Sequence, residues 1–309
     1  MAGKVIVIAG PTASGKTALS ISLARLLDGE IVSADSMQVY RGMDIGTAKA
    51  SPSERASAVH HMLDVADPDE NYSVARYVED ASLVCDDILS RGKVPLITGG
   101  TGLYIDSLLS GRTFSDIGDR SLRDALGREY DVSGGEVMLE KLRKVDPERA
   151  ALLPAGDRRR IVRALEIYQL TGITITEHDK ASKLIPPRYD ALRIVLGFAD
   201  RATLYSRIDS RVDAMEEAGL FEEVASLLAQ GVDPDCTAMQ AIGYKEPAMY
   251  LRGELCREDA LALIKQSSRR YAKRQLTWFN RWEGAVRINR ASAEDIQNDL
   301  TVLRQEGVI

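Results

Sequence analysis

The apolar run Val5-Ile6-Val7-Ile8-Ala9 passes directly into GPTASGKT, residues 10–17. The octapeptide fits G-x-x-x-x-G-K-[ST] in the context that motif needs, a strand before it and a helix after it. A strand feeding a helix through a glycine turn commits the chain to α/β architecture. Backbone amides between Ala13 and Thr17 would wrap phosphate oxygens, and the helix N-terminus adds positive potential. The motif places Lys16 to neutralise terminal phosphate charge and Thr17 to help hold Mg²⁺. Gly10, Pro11, Thr12, Ala13, Ser14, Gly15, Lys16 and Thr17 are therefore the expected diphosphate or nucleotide site. The competing interpretation, a glycine turn with an incidental lysine, does not account for the flanking strand and helix.

Strand and helix go on alternating. Leu19, Leu23, Leu26 and Leu27 keep helical spacing, and Asp28-Gly29 is the stop signal. A second strand is expected at Glu30–Ala34, a helix over 73–91, and a third strand at Val94–Thr98. Gly99-Gly100-Thr101-Gly102 then turns into another helix. From about Thr113 to Pro187 no strand pattern occurs, only polar helical segments punctuated by Gly and Pro. Strand character returns at Leu192–Phe198, helices dominate from Arg201 to about Asn280, and Ala285–Ile288 and a final helix close the chain. The expected fold is α/β: a P-loop-type parallel sheet flanked by helices, with a helical insertion domain. Its core comprises residues 1–112 and 188–309, with a helical C-terminal part, and the insertion comprises 113–187.

A nucleoside-triphosphate hydrolase normally adds a second apolar strand ending in an Asp that organises the metal. Val94–Thr98 ends instead in Gly-Gly-Thr, which leaves IVSAD, residues 31–35. At a strand's C-terminal edge beside the phosphate loop, Asp35 points into the ligand crevice of an open α/β sheet. Metal ligand, general base and cap of the following turn all remain open for it on these grounds. Thr101, on the turn after the third strand, reads on these grounds as a helix cap.

The net charge of −6 argues against a protein coated in nucleic acid but not against a local basic face. Lys265, Arg269 and Lys273 recur every four residues, with Arg270 and Arg274 on the adjoining row, and no acid interrupts Ala260 to Arg281. Arg158-Arg159-Arg160 and Arg163 form a second cluster, in which Arg159 and Arg163 share a helical face. Either cluster alone reads as well as a solvated face. Arg207 and Arg211 suit a diphosphate or surface pairs with Asp209 and Asp213. Trp278 and Trp282, beside Phe279, are expected in the core. Three scattered cysteines and three histidines make a structural zinc site improbable and suit a reducing cytoplasm. No apolar run reaches membrane-spanning length, and no signal-peptide pattern opens the chain.

GPTASGKT, SADSMQVYRGMDIGTAK (33–49), ITGGTGLYI (97–105), RRRIVRALEIY (158–168), MQAIGYKE (239–246) and RRYAKRQLTWF (269–279) together resemble the bacterial tRNA dimethylallyltransferases. The blocks stand in family order from residue 10 to about 282. Gly156 precedes Asp157 where the family often has Asn, and the zinc finger of eukaryotic members is absent.

The resemblance implies transfer of a dimethylallyl group from its diphosphate, with Mg²⁺, to the exocyclic amine of the adenosine 3′ to the tRNA anticodon. It casts Asp35 as the base for that amine and Thr101 as an orienting contact. It implies tRNA contacts from Asp35, Ser36, Met37 and Gln38, from Thr101 and Arg123, and from Arg159, Arg160, Ile161, Val162 and Arg163. Gln240 joins them, as do Lys273 and Arg274 of the basic helix. The expected partner is the anticodon stem-loop, met by a cytoplasmic monomer. Rival functions are a small-molecule P-loop kinase, an isopentenyltransferase acting on free adenylate, and a non-catalytic RNA-binding ATPase module.

Overall fold

The computed structural model describes residues 3–111, 119–290 and 295–309. Its six strands are β1 (Gly3–Ala9), β2 (Gly29–Ser33), β3 (His60–His61), β4 (Val94–Gly99), β5 (Tyr189–Phe198) and β6 (Val286–Arg290). They form one sheet in the order β3-β2-β4-β1-β5-β6, and every neighbouring pair is parallel. Covered on both faces, the inner strands read as continuous apolar runs rather than alternating ones. Ala9 aligns with Gly99 on one side and Val195 on the other, so the strands end at one common edge.

Four helices belong to the first part of the chain: α1 (Lys16–Leu27), α2 (Pro52–Ser57), α3 (Val74–Ser90) and α4 (Gly102–Leu109). Next come α5 (Arg120–Ser133), α6 (Gly135–Val145), α7 (Pro147–Ala151), α8 (Arg158–Thr171) and α9 (Ile175–Lys183). The rest are α10 (Arg201–Glu217), α11 (Leu220–Ala229), α12 (Lys245–Leu251), α13 (Arg257–Phe279) and α14 (Ile296–Gln305). Asp28 in the left-handed region ends α1 where Asp28-Gly29 predicts a stop. Ile6, Ile8, Leu19, Leu23, Ile31 and Leu96 form the core between the sheet and α1.

Met1–Leu109 and Arg188–Ile309 make one compact unit, and Ser110–Pro187 makes another. The second contains only helices among its described residues, around Leu126, Met138, Leu142, Ile161 and Leu165. The boundary expected at 112/113 falls outside the described residues.

The sheet order changes one expectation. β4 lies between β1 and β2, so the Gly99–Thr101 turn separates Asp35 from the phosphate loop. Only glycine fits there: a Cβ on Gly99 would stand 2.1 Å from the Ala34 carbonyl oxygen.

Candidate active site

The phosphate loop leaves β1 at Gly10, where φ is +147° and a Cβ would stand 2.6 Å from Leu196 O, so a side chain is excluded. Ala13 (φ 62°) and Gly15 (φ 80°) adopt left-handed backbone, the alternation that gathers successive N–H groups into an anion-binding nest. Carbonyls of the loop are held by cations. Lys16 Nζ donates to Gly10 O at 3.1 Å and Pro11 O at 2.7 Å. Arg207 Nε donates to Ala13 O at 3.2 Å, and Arg290 Nη1 to Ser14 O at 2.6 Å. Arg211 Nη1 reaches Thr12 Oγ1 at 3.4 Å. Beside the loop lies a cavity of about 360 Å³ walled by Ala13, Gly15, Ser206, Arg207, Ser210 and Arg211. Arg211 also lines a second cavity, of about 590 Å³, with Ile45, Pro52 and Met215.

Burial, then the neighbouring Arg211, pulls the Lys16 ammonium from 10.5 down to about 7, against the attraction of Asp35. Burial likewise lowers Arg211. The two readings of α10 are now separated. Asp209 and Asp213 turn to α13, pairing with Arg269 and Lys265 at 2.5 Å each. Arg207 and Arg211 face the phosphate loop and meet no carboxylate at ion-pair distance among the described residues.

Asp35 follows β2, half-buried, and its Oδ1 accepts from Met37 N at 2.9 Å and Gln38 N at 3.4 Å. The cap role is thus real, but it occupies one oxygen. Oδ2 makes no hydrogen bond among the described residues and is left for other chemistry. Thr101 reaches across rather than along its own helix: its Oγ1 accepts from Ser36 N at 3.1 Å and donates to Ser36 Oγ at 3.4 Å. Gln38 turns inward, accepting from Ser33 Oγ at 3.0 Å and donating to Thr47 O at 3.2 Å. Ser36 and Met37 remain half-buried on the same turn.

Two site residues on α13 escaped the sequence. Buried Gln275 accepts from Thr12 N at 2.8 Å and donates to Gly100 O at 3.0 Å, joining the phosphate loop to the turn that carries Thr101. Tyr271, on the same helix, lies near Asp35, and burial, then that carboxylate's charge, raises its phenol to about 12. A polar residue among Ile264, Ala272 and Phe279 on one helical face was the available signal for Gln275.

The basic surfaces divide on inspection. On α13, Lys265 and Arg269 are tied to α10, whereas Lys273 and Arg274 are exposed and form no ion pair among the described residues. Gln240 is exposed, its amide donating to Pro234 O at 3.0 Å. Trp278 and Trp282 both donate to Asp106, at 2.8 and 3.0 Å, as structural residues. Within the helical unit, Glu166 is fully buried and binds Arg123 through two bonds of 3.0 Å and Arg163 through one of 2.8 Å. Those two arginines retain exposed edges, and Arg159 and Arg160 point to solvent. Ile161 and Val162 are at 0% and 4% exposure, with side chains packed in the unit's core, between arginines that reach the surface.

Metal chemistry is constrained by the donors available. Thr17 Oγ1 makes no hydrogen bond among the described residues, and these contain no cluster of three His, Cys, Asp or Glu able to form a protein cage. Ser14 Oγ is buried without a partner among the described residues. One hydroxyl beside an anion nest fits Mg²⁺, which keeps waters and takes most ligands from phosphate.

With this geometry in place, comparison with known proteins is direct. The IPP transferase family model matches residues 38–282, and an isopentenyl transferase model matches 3–66. A tRNA dimethylallyltransferase of a Thermoanaerobacter species is 46% identical over 92% of this chain and 90% of its own. For tRNA dimethylallyltransferase 2 of Geotalea uraniireducens the identity is 50%, over 90% and 89%. The crystal structure of the full-length tRNA isopentenylpyrophosphate transferase of Bacillus halodurans superposes with TM-score 0.72 at 40% identity, over 98% of this chain and 94% of that one. A eukaryotic dimethylallyltransferase acting on tRNA gives TM-score 0.81 at 32% identity, over 99% and 78%. A phosphate nest, an Asp set one strand away from it and 40–50% identity across nearly the whole chain agree, and the chain belongs to the IPP transferase family.

Proposed function

We propose that this chain transfers a dimethylallyl group from dimethylallyl diphosphate to the exocyclic amine of the adenosine 3′ to the anticodon of tRNA, as a cytoplasmic monomer requiring Mg²⁺. The carrying observation is an imbalance of charge. Lys16, Arg207 and Arg211 converge on one glycine-lined nest, and the carboxylate nearest in electrostatic reach, Asp35, keeps one oxygen free.

The nest holds the diphosphate. As the allylic C–O bond breaks, negative charge grows on the leaving group while the amine nitrogen forms its bond to the allylic carbon. Loop amides, Lys16, Arg207 and Arg211 stabilise that charge, an effect worth about 3 kcal/mol per well-placed donor. Bound Mg²⁺, held with help from Thr17, would add Lewis-acid stabilisation of the leaving diphosphate. The amine is a weak nucleophile, and its proton passes to Asp35 Oδ2 as the N–C bond forms. Thr101 holds Ser36 and thereby the Asp35–Gln38 turn. The adenine must leave its loop stack to reach this point, which unpaired anticodon-loop nucleotides do at modest cost. Lys273, Arg274, Gln240, Arg123, Arg159, Arg160 and Arg163 are proposed to meet the RNA.

The test incubates purified protein with Mg²⁺, unmodified tRNA and labelled dimethylallyl diphosphate, with an ATP control. Label in RNA without nucleotide consumption is expected. ADP formation with unlabelled RNA would establish a kinase instead, and label on free adenylate alone would point to the small-molecule transferase.

A further inference from the structure

The last strand of the sheet ends in an arginine that solvent does not reach. Strand periodicity puts Val286, Ile288 and Arg290 on one face, and Arg290 is 1% exposed. Asp299, on α14, is 0% exposed; it accepts from Arg290 Nε at 3.1 Å and from Nη2. Stability alone does not explain such a pair, because buried ion pairs are often no more stable than apolar residues of equal volume. The third contact does. Nη1 donates to Ser14 O at 2.6 Å, inside the phosphate loop and 276 positions earlier.

A trans peptide fixes the carbonyl of one residue and the N–H of the next in opposite directions. Drawing Ser14 O toward β6 therefore turns the Gly15 N–H away from β6, at the head of α1, where the nest needs a donor. Gly15, with φ 80°, is the residue whose backbone lets the chain enter the helix from that orientation. Arg290 is also near enough to Lys16 to lower its proton affinity, so its charge is felt in the nest. Neither family model reaches residues 290–299, and neither basic helix includes them.

We propose that Arg290, oriented by Asp299, is a positioning residue that locks the Ser14–Gly15 peptide so that the Gly15 amide meets the bound diphosphate. The proposal rests on the diphosphate site described above. It makes α14 part of the catalytic apparatus without contact to substrate.

The test titrates inorganic diphosphate with Mg²⁺ into the full-length protein by calorimetry and follows ¹⁵N-glycine spectra. Replacing both charges together, as Arg290→Leu with Asp299→Leu, leaves no buried unpaired ion, so the melting temperature should stay within about 5 °C of the wild type. Diphosphate affinity should fall about tenfold, and the Gly15 amide should no longer shift on binding. In turnover, KM for dimethylallyl diphosphate should rise while KM for tRNA holds. Arg290→Lys keeps the charge but lacks the fork needed to serve Asp299 and Ser14 together, and should weaken diphosphate about threefold. If the double variant does not fold, this lysine variant decides the matter. Wild-type affinity with an intact Gly15 shift in either folded variant overturns the proposal. A wild-type protein that does not bind diphosphate removes the underlying site assignment as well, and is recognised by that control alone.

Discussion

The two ends of the sheet carry the same kinds of charged residue and treat them oppositely. At the end where β2 begins, Glu30 is buried and saturated: Arg91 grips it with bonds of 2.5 and 2.8 Å, His61 with one of 2.8 Å, and Lys93 lies at 3.3 Å. Those bonds, Arg91 first, hold its carboxyl down at about 2 despite burial. At the end where β1 and β2 stop, Arg207 and Arg211 line a cavity beside the loop that carries Lys16; Asp35 is the foremost carboxylate acting on Lys16 and Arg211, with Glu54 a lesser one on Arg211. Both places show strongly shifted titration, so a shift alone does not mark a site. The sum of charge does. At Glu30 carboxylate and cations offset one another and the cluster is a clamp; over the nest cations predominate, and an anion is what completes it.

The largest expected effect is at Asp35, the foremost carboxylate of the cationic end. Asp35→Asn keeps an Oδ1 acceptor for Met37 N and Gln38 N, so the turn should survive while the proton acceptor is lost. Turnover should drop about 10²–10⁴-fold with tRNA affinity nearly unchanged in a filter-binding assay. Full activity in this variant would leave Asp35 as a cap and nothing more. Next comes Arg207→Ala combined with Arg211→Ala, expected to cut kcat/KM for dimethylallyl diphosphate about 10²-fold. The matched control is Lys265→Ala with Arg269→Ala on the facing helix. These cations already have Asp213 and Asp209, and losing such surface pairs should change stability by about 1 kcal/mol or less and diphosphate use hardly at all. Equal losses in both pairs would erase the distinction between paired and unpaired cations.

Smaller still is the effect expected at the opposite end. Glu30→Gln leaves partly exposed Arg91 and Lys93 to be hydrated, so the stability loss should be about 1–3 kcal/mol, with kcat unaltered. Its pH signature has a definite sign. With the folded carboxyl near 2 and an ordinary value of 4.5, Glu30 stabilises the fold fully above about 4.5, and that contribution disappears as pH falls toward 2. Melting curves of the variant should lose less stability across that window than the wild type; identical acid slopes would mean that Glu30 is no clamp.

How much of this contrast is legible in sequence follows from the range of each signal. The β1–loop–α1 unit is readable because strand, motif and stop lie within 29 residues of chain. Glycine and apolar spacing likewise announce β4 and α3. A two-residue strand such as β3 has no periodicity to detect. The insertion of β4 between β1 and β2, which puts Thr101 between Asp35 and the loop, is a pairing choice that no local pattern encodes. The same holds for charges. Lys265, Arg269 and Lys273 look equivalent along α13, and only packing against α10 separates the two that are paired from the one that has no ion pair among the described residues. Ile161 and Val162 sit in a block that resembles an RNA-binding segment, yet their apolar side chains follow burial, as their chemistry requires. Arg290 illustrates the converse, an arginine in the inward register of a short strand, intelligible only once Asp299 and Ser14 are seen beside it.

The subtlest consequence of the imbalance is a proton. With its ammonium lowered to about 7 by burial and by Arg211, Lys16 is largely neutral at pH 8 and largely charged at pH 6. A bound diphosphate supplies the missing negative charge and drives the Lys16 pKa back up. Binding at pH 8 should therefore take up close to one proton at this residue, and binding at pH 6 almost none. Calorimetry in two buffers of different ionisation enthalpy reads that number directly, and Lys16→Met should remove the lysine's share of the difference between the two pH values. The diphosphate's own titration contributes in both proteins, so the wild-type-minus-variant difference isolates the lysine. A difference near zero at pH 8 would mean that Lys16 is already charged there. The nest would then have the same settled electrostatics as the Glu30 clamp, and the contrast between the two ends of the sheet would rest on arginines alone.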